Sequence, residues 1–225
     1  MTDPFIELKN VTKTYYQGDT PVKALDQLDL KIPKGEFIAI TGKSGCGKST
    51  LVNIVGGLDS PDRGQVFING EDITRMDDRR LTLFRRDKMG IIFQFFNLLP
   101  ILTIEENIAL PHLLKEGSNT IEAHVDQLLR QMGLFDRRNH RPHELSGGEM
   151  QRVAICRALI NDPEIILADE PTGNLDSSTG RQVLETLRRL KEEQGKTILL
   201  VTHSQEGAAI ADRILRMQDG RLLSI

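Results

Sequence analysis

With 225 residues, 39% of them hydrophobic and 27% charged, the chain is long enough to bury a core without a disulfide or a structural metal. Its formal net charge of −3 excludes a basic nucleic-acid-binding surface, so no nucleic acid is expected as a partner. The N-terminus Met1-Thr2-Asp3-Pro4-Phe5 lacks the basic and apolar regions of a signal peptide, and no apolar stretch approaches the ~20 residues of a membrane-spanning helix.

A soluble, cytoplasmic chain is therefore expected, one that reaches a membrane only through a partner. The two cysteines, Cys46 and Cys156, suit free thiols in a reducing compartment, with a disulfide between them left open on paper.

In chain order, Ile6-Glu7-Leu8-Lys9-Asn10-Val11 and Leu28-Asp29-Leu30-Lys31-Ile32 alternate apolar and polar residues, the mark of strands with one wet face. Phe37-Ile38-Ala39-Ile40 is continuously apolar and predicts a parallel strand buried on both faces. Leu51, Ile54, Val55 and Leu58 recur at i, i+3, i+4 and i+7, an amphipathic helix. The charged stretch 77–88 reads as a solvated helix face.

Residues 94–160 show no convincing strand. Thr103 and Glu106 form a capping box, and Thr120 is the expected cap of a helix whose stripe Ile121, Val125, Leu128, Leu129, Met132 ends at Gly133. A further helix is expected from Glu149 to about Ile160. Ile165-Ile166-Leu167-Ala168 and Ile198-Leu199-Leu200-Val201 are again buried strands, with Val183, Leu184, Leu187 and Leu190 on a helix between them. Ile214-Leu215-Arg216-Met217, the turn Asp219-Gly220 and Arg221-Leu222-Leu223 predict a hairpin. The pattern is that of one α/β domain, 1–225, in which a helical subdomain, 94–160, interrupts a core formed by 1–93 and 161–225.

Gly42-Lys43-Ser44-Gly45-Cys46-Gly47-Lys48-Ser49 fits G-x-x-x-x-G-K-[ST], between a buried strand and an amphipathic helix. Glycines let backbone N–H groups turn around an anion, and the helix N-terminus adds unpaired donors. Lys48 is placed for the β- and γ-phosphates and Ser49 for Mg²⁺. The alternative is a plain glycine turn. Chance matches occur in on the order of 1% of chains this long, and the strand–loop–helix context lowers that further.

Asp169 and Glu170 end a buried strand, where adjacent acids call for a nearby cation. Asp169 suits Mg²⁺, and Glu170 suits a base for attacking water. A solvated strand-end turn before Pro171 is the rival reading. Ser146 and Glu149 have capping-box spacing, so the helix start at Gly147-Gly148 is either a second anion site or simply well capped.

Several segments together resemble the ATP-binding cassette (ABC) ATPases along essentially the whole chain. They are the phosphate loop 42–49, a glutamine loop Phe93-Gln94-Phe95-Phe96-Asn97, a signature Leu145-Ser146-Gly147-Gly148-Glu149, the acids Asp169-Glu170, a D-loop Asn174-Leu175-Asp176 and a switch histidine, His203. The resemblance implies a P-loop NTPase (RecA-like) core with an antiparallel β-subdomain and an inserted helical subdomain. It implies ATP and Mg²⁺ as ligands, and hydrolysis of the ATP.

It further implies a head-to-tail homodimer when ATP is bound, in which Ser146, Gly147 and Gly148 of one copy cover the ATP held by the loop, Thr50 included, of the other. Gln94 would sense Mg²⁺ and the attacking water, and His203 would contact the γ-phosphate. Tyr15 matches the aromatic position that stacks on adenine, with Tyr16 as its rival. Cys46 is either a thiol that makes activity sensitive to thiol reagents or a small filler.

Arg86-Asp87-Lys88-Met89-Gly90-Ile91-Ile92-Phe93-Gln94 and Pro171-Thr172-Gly173-Asn174-Leu175-Asp176 resemble the branch that serves lipoprotein-release, macrolide-export and cell-division complexes. That branch implies a separate transmembrane permease in two copies, which places the chain peripherally on the inner face of the cell membrane. The expected contact surface is Phe95, Phe96, Leu98, Leu99, Ile101 and Leu102, about half of it core. Export or extraction of a substrate is the leading expectation, and signalling through a membrane partner is the alternative.

Overall fold

The computed structural model describes residues 3–115 and 121–223. Its strands are β1 (Ile6–Gln17), β2 (Thr20–Ile32), β3 (Phe37–Thr41), β4 (Arg63–Ile68), β5 (Glu71–Asp72), β6 (Met89–Ile92), β7 (Ile165–Asp169), β8 (Thr197–Thr202), β9 (Arg213–Gln218) and β10 (Arg221–Leu223). The first sheet is antiparallel, in the order β2-β1-β4-β5. The second runs β10-β9-β3-β8-β7-β6 and is parallel except for the hairpin of β9 and β10.

The continuous apolar runs lie where both faces of the second sheet are covered. Ile38 and Ile40 of β3 point into one core and Phe37 into another; β7 divides Ile165 and Leu167 from Ile166 and Ala168 in the same way. In β8, Leu199 and Val201 face the first core, Ile198 and Leu200 the second. The period of two is present, but with both faces dry it leaves no polar trace. The first sheet and α1 (Lys48–Val55) cover one face, while α3 (Ile104–Leu113), α4 (Glu122–Gln131), α5 (Gly147–Leu159) and α6 (Ser177–Gln194) fill the other. Helix α2 (Asp78–Lys88) buries no residue of its own and only leans Leu81 and Phe84 on the first core. A short α7 (Gln205–Ala209) follows β8.

Several boundaries differ from the sequence expectation. Helix α1 stops at Val55, because the chain turns at Gly56 and Gly57, the latter at φ 59; Leu58 is left half exposed instead of completing the stripe. Thr120 lies outside the described residues, and Ile121 stands at the N-cap of α4 without a side-chain bond. Burial of Val125, Leu128 and Leu129 holds that helix. At about 1.5–3 kcal/mol each it outweighs the ~1 kcal/mol of a cap.

Helix α5 begins at Gly147, two residues before Glu149, so both glycines lie inside its first turn. Cys46 and Cys156 are both buried and unpaired, so no disulfide joins them. Among the described residues of 94–160 there are helices and no strand, and no described helix is long and apolar enough to cross a membrane.

Candidate functional site

The glycine loop lies between β3 and α1, and two of its glycines are sterically required. A Cβ on Gly42 would sit 2.4 Å from Met217 O. One on Gly47, at φ 109, would sit 2.1 Å from Ala24 O. Only a residue without a side chain lets the loop close against β9 and β2 at these points. Gly47 caps α1 without a side-chain bond, and the first turn of α1 carries no acid of its own, so its N–H groups are left without a side-chain cap. Lys48 is 5% exposed; its Nζ donates to Gly42 O (3.0 Å) and Lys43 O (3.1 Å) and lies 3.8 Å from Glu170 Oε1. Lys43, Ser44 and Gly45 are exposed. The Cys46 thiol turns into the first core, the filler position of the two readings left open for it.

The tip of β7 meets this loop. Ser49 Oγ donates to Asp169 Oδ1 at 3.1 Å. Burial pushes the Asp169 carboxyl up, against the bond from Ser49, and the neighbouring Glu170 charge adds to the rise. Glu170 is held at φ 46, a left-handed backbone that a side-chain-bearing residue adopts only when its surroundings impose it. Those surroundings are visible: Glu170 N donates to Val201 O at 2.9 Å and Glu170 O accepts from Gly173 N at 3.0 Å. The twist aims the carboxylate between Lys48 and His203, whose Nδ1 lies 2.6 Å from Glu170 Oε2. His203 itself is largely exposed. A cavity of about 180 Å³ opens here, lined by Glu170, Thr172, Gly173, Asp176, Thr202 and His203 among others.

Gln94 reaches the same region from β6. Its Nε2 would lie 3.0 Å from a Cβ on Gly173, and Asn174 Nδ2 donates to Gln94 O at 3.1 Å. The loop after Gln94 is held from the other side by Arg157 of α5, which donates to Phe96 O (2.9 Å) and Asn97 O. Of the six apolar residues that follow Gln94, Phe95, Leu99 and Ile101 are exposed. Phe96, Leu98 and Leu102 are half-buried, with Leu98 against the second core.

Tyr15 stands on β1 beside α1. Its hydroxyl donates to Asp59 Oδ2 at 2.7 Å, and Lys13 Nζ donates to Asp59 Oδ1 at 2.7 Å. Burial and the Asp59 carboxylate raise the phenol pKa, while a hydrogen bond with Thr50 opposes the rise. Tyr15 is 41% exposed and Tyr16 74%, so Tyr15 is the tyrosine held against the loop helix.

Ser146, Gly147 and Gly148 lie elsewhere. Ser146 caps α5 in a full capping box with Glu149. A Cβ on Gly148 would meet Thr179 of α6, and one on Gly147 would lie 3.7 Å from Leu175. Among the described residues, no hydrogen bond or ion pair joins 146–148 to 42–50. The structure therefore brings Lys48, Ser49, Asp169, Glu170 and His203 into one cluster, sets Gln94 and Tyr15 at its margins, and leaves the signature glycines against the D-loop and α6. Lys13, Asp59 and Arg157 were not singled out from the sequence; their partners stand 44 to 61 positions away, and no local pattern marks them.

No cluster of three or more His, Cys, Asp or Glu among the described residues holds a metal on its own. The oxygen pair of Ser49 and Asp169 suits Mg²⁺, which binds through one or two side chains and completes its shell with phosphate oxygens and water. The same edge offers an uncapped helix N-terminus and a buried lysine to anionic oxygens, and two carboxylates plus an imidazole for proton handling.

A family model described as "ABC transporter" matches residues 25–173. An uncharacterized ABC transporter ATP-binding protein of Mycobacterium tuberculosis is 48% identical over 98% of this chain and 89% of its own length. Another, from Methanocaldococcus jannaschii, is 48% identical over 96% and 94%. The solved cassette of the latter is described as dimeric, in a post-hydrolysis state bound to ADP and Pi. It superposes with a TM-score of 0.91 at 46% identity, covering 97% of each chain. The macrolide export ATP-binding/permease protein MacB of Hyphomonas neptunium is 46% identical over the whole of this chain, which spans 35% of that longer protein.

Proposed function

The chain belongs to the ABC transporter family of ATP-binding proteins and is an ATPase, and from that premise we propose that it drives a membrane transporter by closing and reopening a head-to-tail dimer around ATP. It acts on the inner face of the cell membrane through a separate transmembrane permease, present in two copies, that exports or extracts a substrate. The permease fused to the related MacB protein and the dimer formed by the related cassette support this reading.

In each half-site Tyr15 stacks on adenine, while the N–H groups of 42–50 and Lys48 hold the β- and γ-phosphates. Ser49 and Asp169, with Gln94 nearby, would hold Mg²⁺, whose charge would offset the negative charge on the phosphate oxygens. Glu170 accepts the proton of the attacking water, and His203, whose Nδ1 lies 2.6 Å from Glu170 Oε2, contacts the γ-phosphate. Ser146, Gly147 and Gly148 of the second copy donate to the same phosphate.

The observation that carries the reading is the separation of donors within one chain. Lys48, Asp169 and Glu170 form one cluster, whereas α5 offers a glycine-lined N-terminus bonded only to its own surroundings. A site made from two copies gives both halves a task. Ser146→Arg tests it: hydrolysis is expected to disappear while ATP binding by the monomer stays at the parental affinity. Loss of monomer binding, or hydrolysis at the parental rate, would refute the assignment.

A further inference from the structure

The signature helix carries a charge of the wrong sign for a phosphate. Ser146 Oγ donates to Glu149 Oε2 at 2.8 Å, and Ser146 N donates to the same oxygen at 2.9 Å. Glu149 N returns a bond to Ser146 Oγ at 3.3 Å. The only hydroxyl hydrogen of Ser146 is thus committed to a carboxylate, in a charge-assisted bond stronger than one to a neutral acceptor. The carboxylate sits in the first turn of α5, where its full charge opposes the pull that the N–H groups of Gly147 and Gly148 exert on an anion. Two arginines temper it: Arg152, and more strongly Arg137, whose Nε lies 3.6 Å from Glu149 Oε1, half exposed at the end of the short turn Phe135–Arg137.

We propose that Glu149 opposes closure of the ATP-bound dimer by competing with the γ-phosphate for the Ser146 hydroxyl, and that Arg137 sets the strength of that competition. The inference rests on the reading that 146–148 face the nucleotide of the second copy. Two anions then claim one hydrogen, and the phosphate gains it only by displacing a carboxylate already in place. On opening, the carboxylate takes the hydrogen back, so the same contact that weakens closure assists release. Glu149 is here a positioning residue that acts through Ser146.

Glu149→Gln removes the charge and keeps the fold, because glutamine serves equally at the third position of a capping box. The measurement is the ATP-dependent dimer dissociation constant by sedimentation, in a Glu170→Gln background that prevents turnover. Removing one repulsive contact at each of two partly wet sites is expected to tighten the dimer about tenfold. Arg137→Ala is expected to loosen it several-fold when Glu149 is present and to change it little beside Glu149→Gln, since the arginine then has no charge to offset. A structural role alone would weaken the dimer in every variant, so the sign of the change discriminates. If Ser146→Arg abolishes the dimer while Glu149→Gln leaves it no tighter than the parent, the competition does not exist. If Ser146→Arg dimerises like the parent, the head-to-tail reading itself is wrong and this inference falls with it.

Discussion

Gly148→Ala is a demanding test of how the signature helix is seated. A Cβ at Gly148 would lie 2.2 Å from Thr179 Cγ2, about 1.2 Å short of ordinary van der Waals contact, while Thr179 Cβ and Oγ1 would be tolerable at 3.4 Å. The clash is therefore with one methyl group. That group stands on the first turn of α6, fixed by the Asp176 carboxylate, which accepts from Ser178 N and Thr179 N. Neither helix start is free to retreat, and overpacking of this kind costs about 1–3 kcal/mol. For a domain of this size the melting temperature should fall by roughly 2–4 °C per kcal/mol. The ATPase rate should fall as well, because α5 moves relative to the D-loop. Adding Thr179→Ser removes Cγ2 and keeps the backbone bond to Asp176, so both readouts should return towards the parent. Calorimetry and phosphate release on the parent and the two variants check this. An alanine variant with parental melting and turnover, or a serine that fails to rescue, would refute the steric argument.

Two other outcomes follow from the same structure. Glu170→Gln is expected to abolish turnover and trap an ATP-bound dimer, and steady-state phosphate release at the parental rate would remove Glu170 as the base. Lys34 and Lys88 hold the Glu164 carboxyl down at about 2, below its ordinary 4.5. A carboxylate with a depressed folded pKa stabilises above its unfolded value, and that contribution is lost as pH falls from about 4.5 through about 2. Glu164→Gln should accordingly melt lower than the parent at pH 7, with the difference closing over that acid window; a gap independent of pH would contradict it.

The fold class and the family were legible because their markers are contiguous. The phosphate loop occupies eight consecutive residues, and Asp169-Glu170 closes an apolar run whose length and content suit only a buried strand. Strands β4 and β6 were not legible. In Arg63-Gly64-Gln65-Val66-Phe67-Ile68 only Val66 and Ile68 are buried, behind a polar, glycine-containing start. β6 is four residues long, and its Gly90 answers to the approach of Ala158 O, a partner far along the chain. Bulges hid the true extent of the β1–β2 hairpin, since shifts between Leu8 and Thr14 break the alternation. The left-handed backbone of Glu170 has no sequence signature at all; it is imposed by Val201 and Gly173. Under the proposed function, transport and signalling differ in the membrane partner the chain would engage, and capture from solubilised membranes tests for one.

The central claim is that each ATP is hydrolysed between two copies, with Lys48 and Glu170 from one and Ser146 from the other. Mixing a Lys48→Ala chain with a Ser146→Arg chain tests it most directly. Each is expected to be inactive alone. In the mixed dimer the intact loop of one chain meets the intact signature of the other, so one site in each heterodimer is complete. ATPase activity should reappear on mixing, up to about a quarter of the parental rate at equal concentrations. A mixture as inactive as its components would contradict the account.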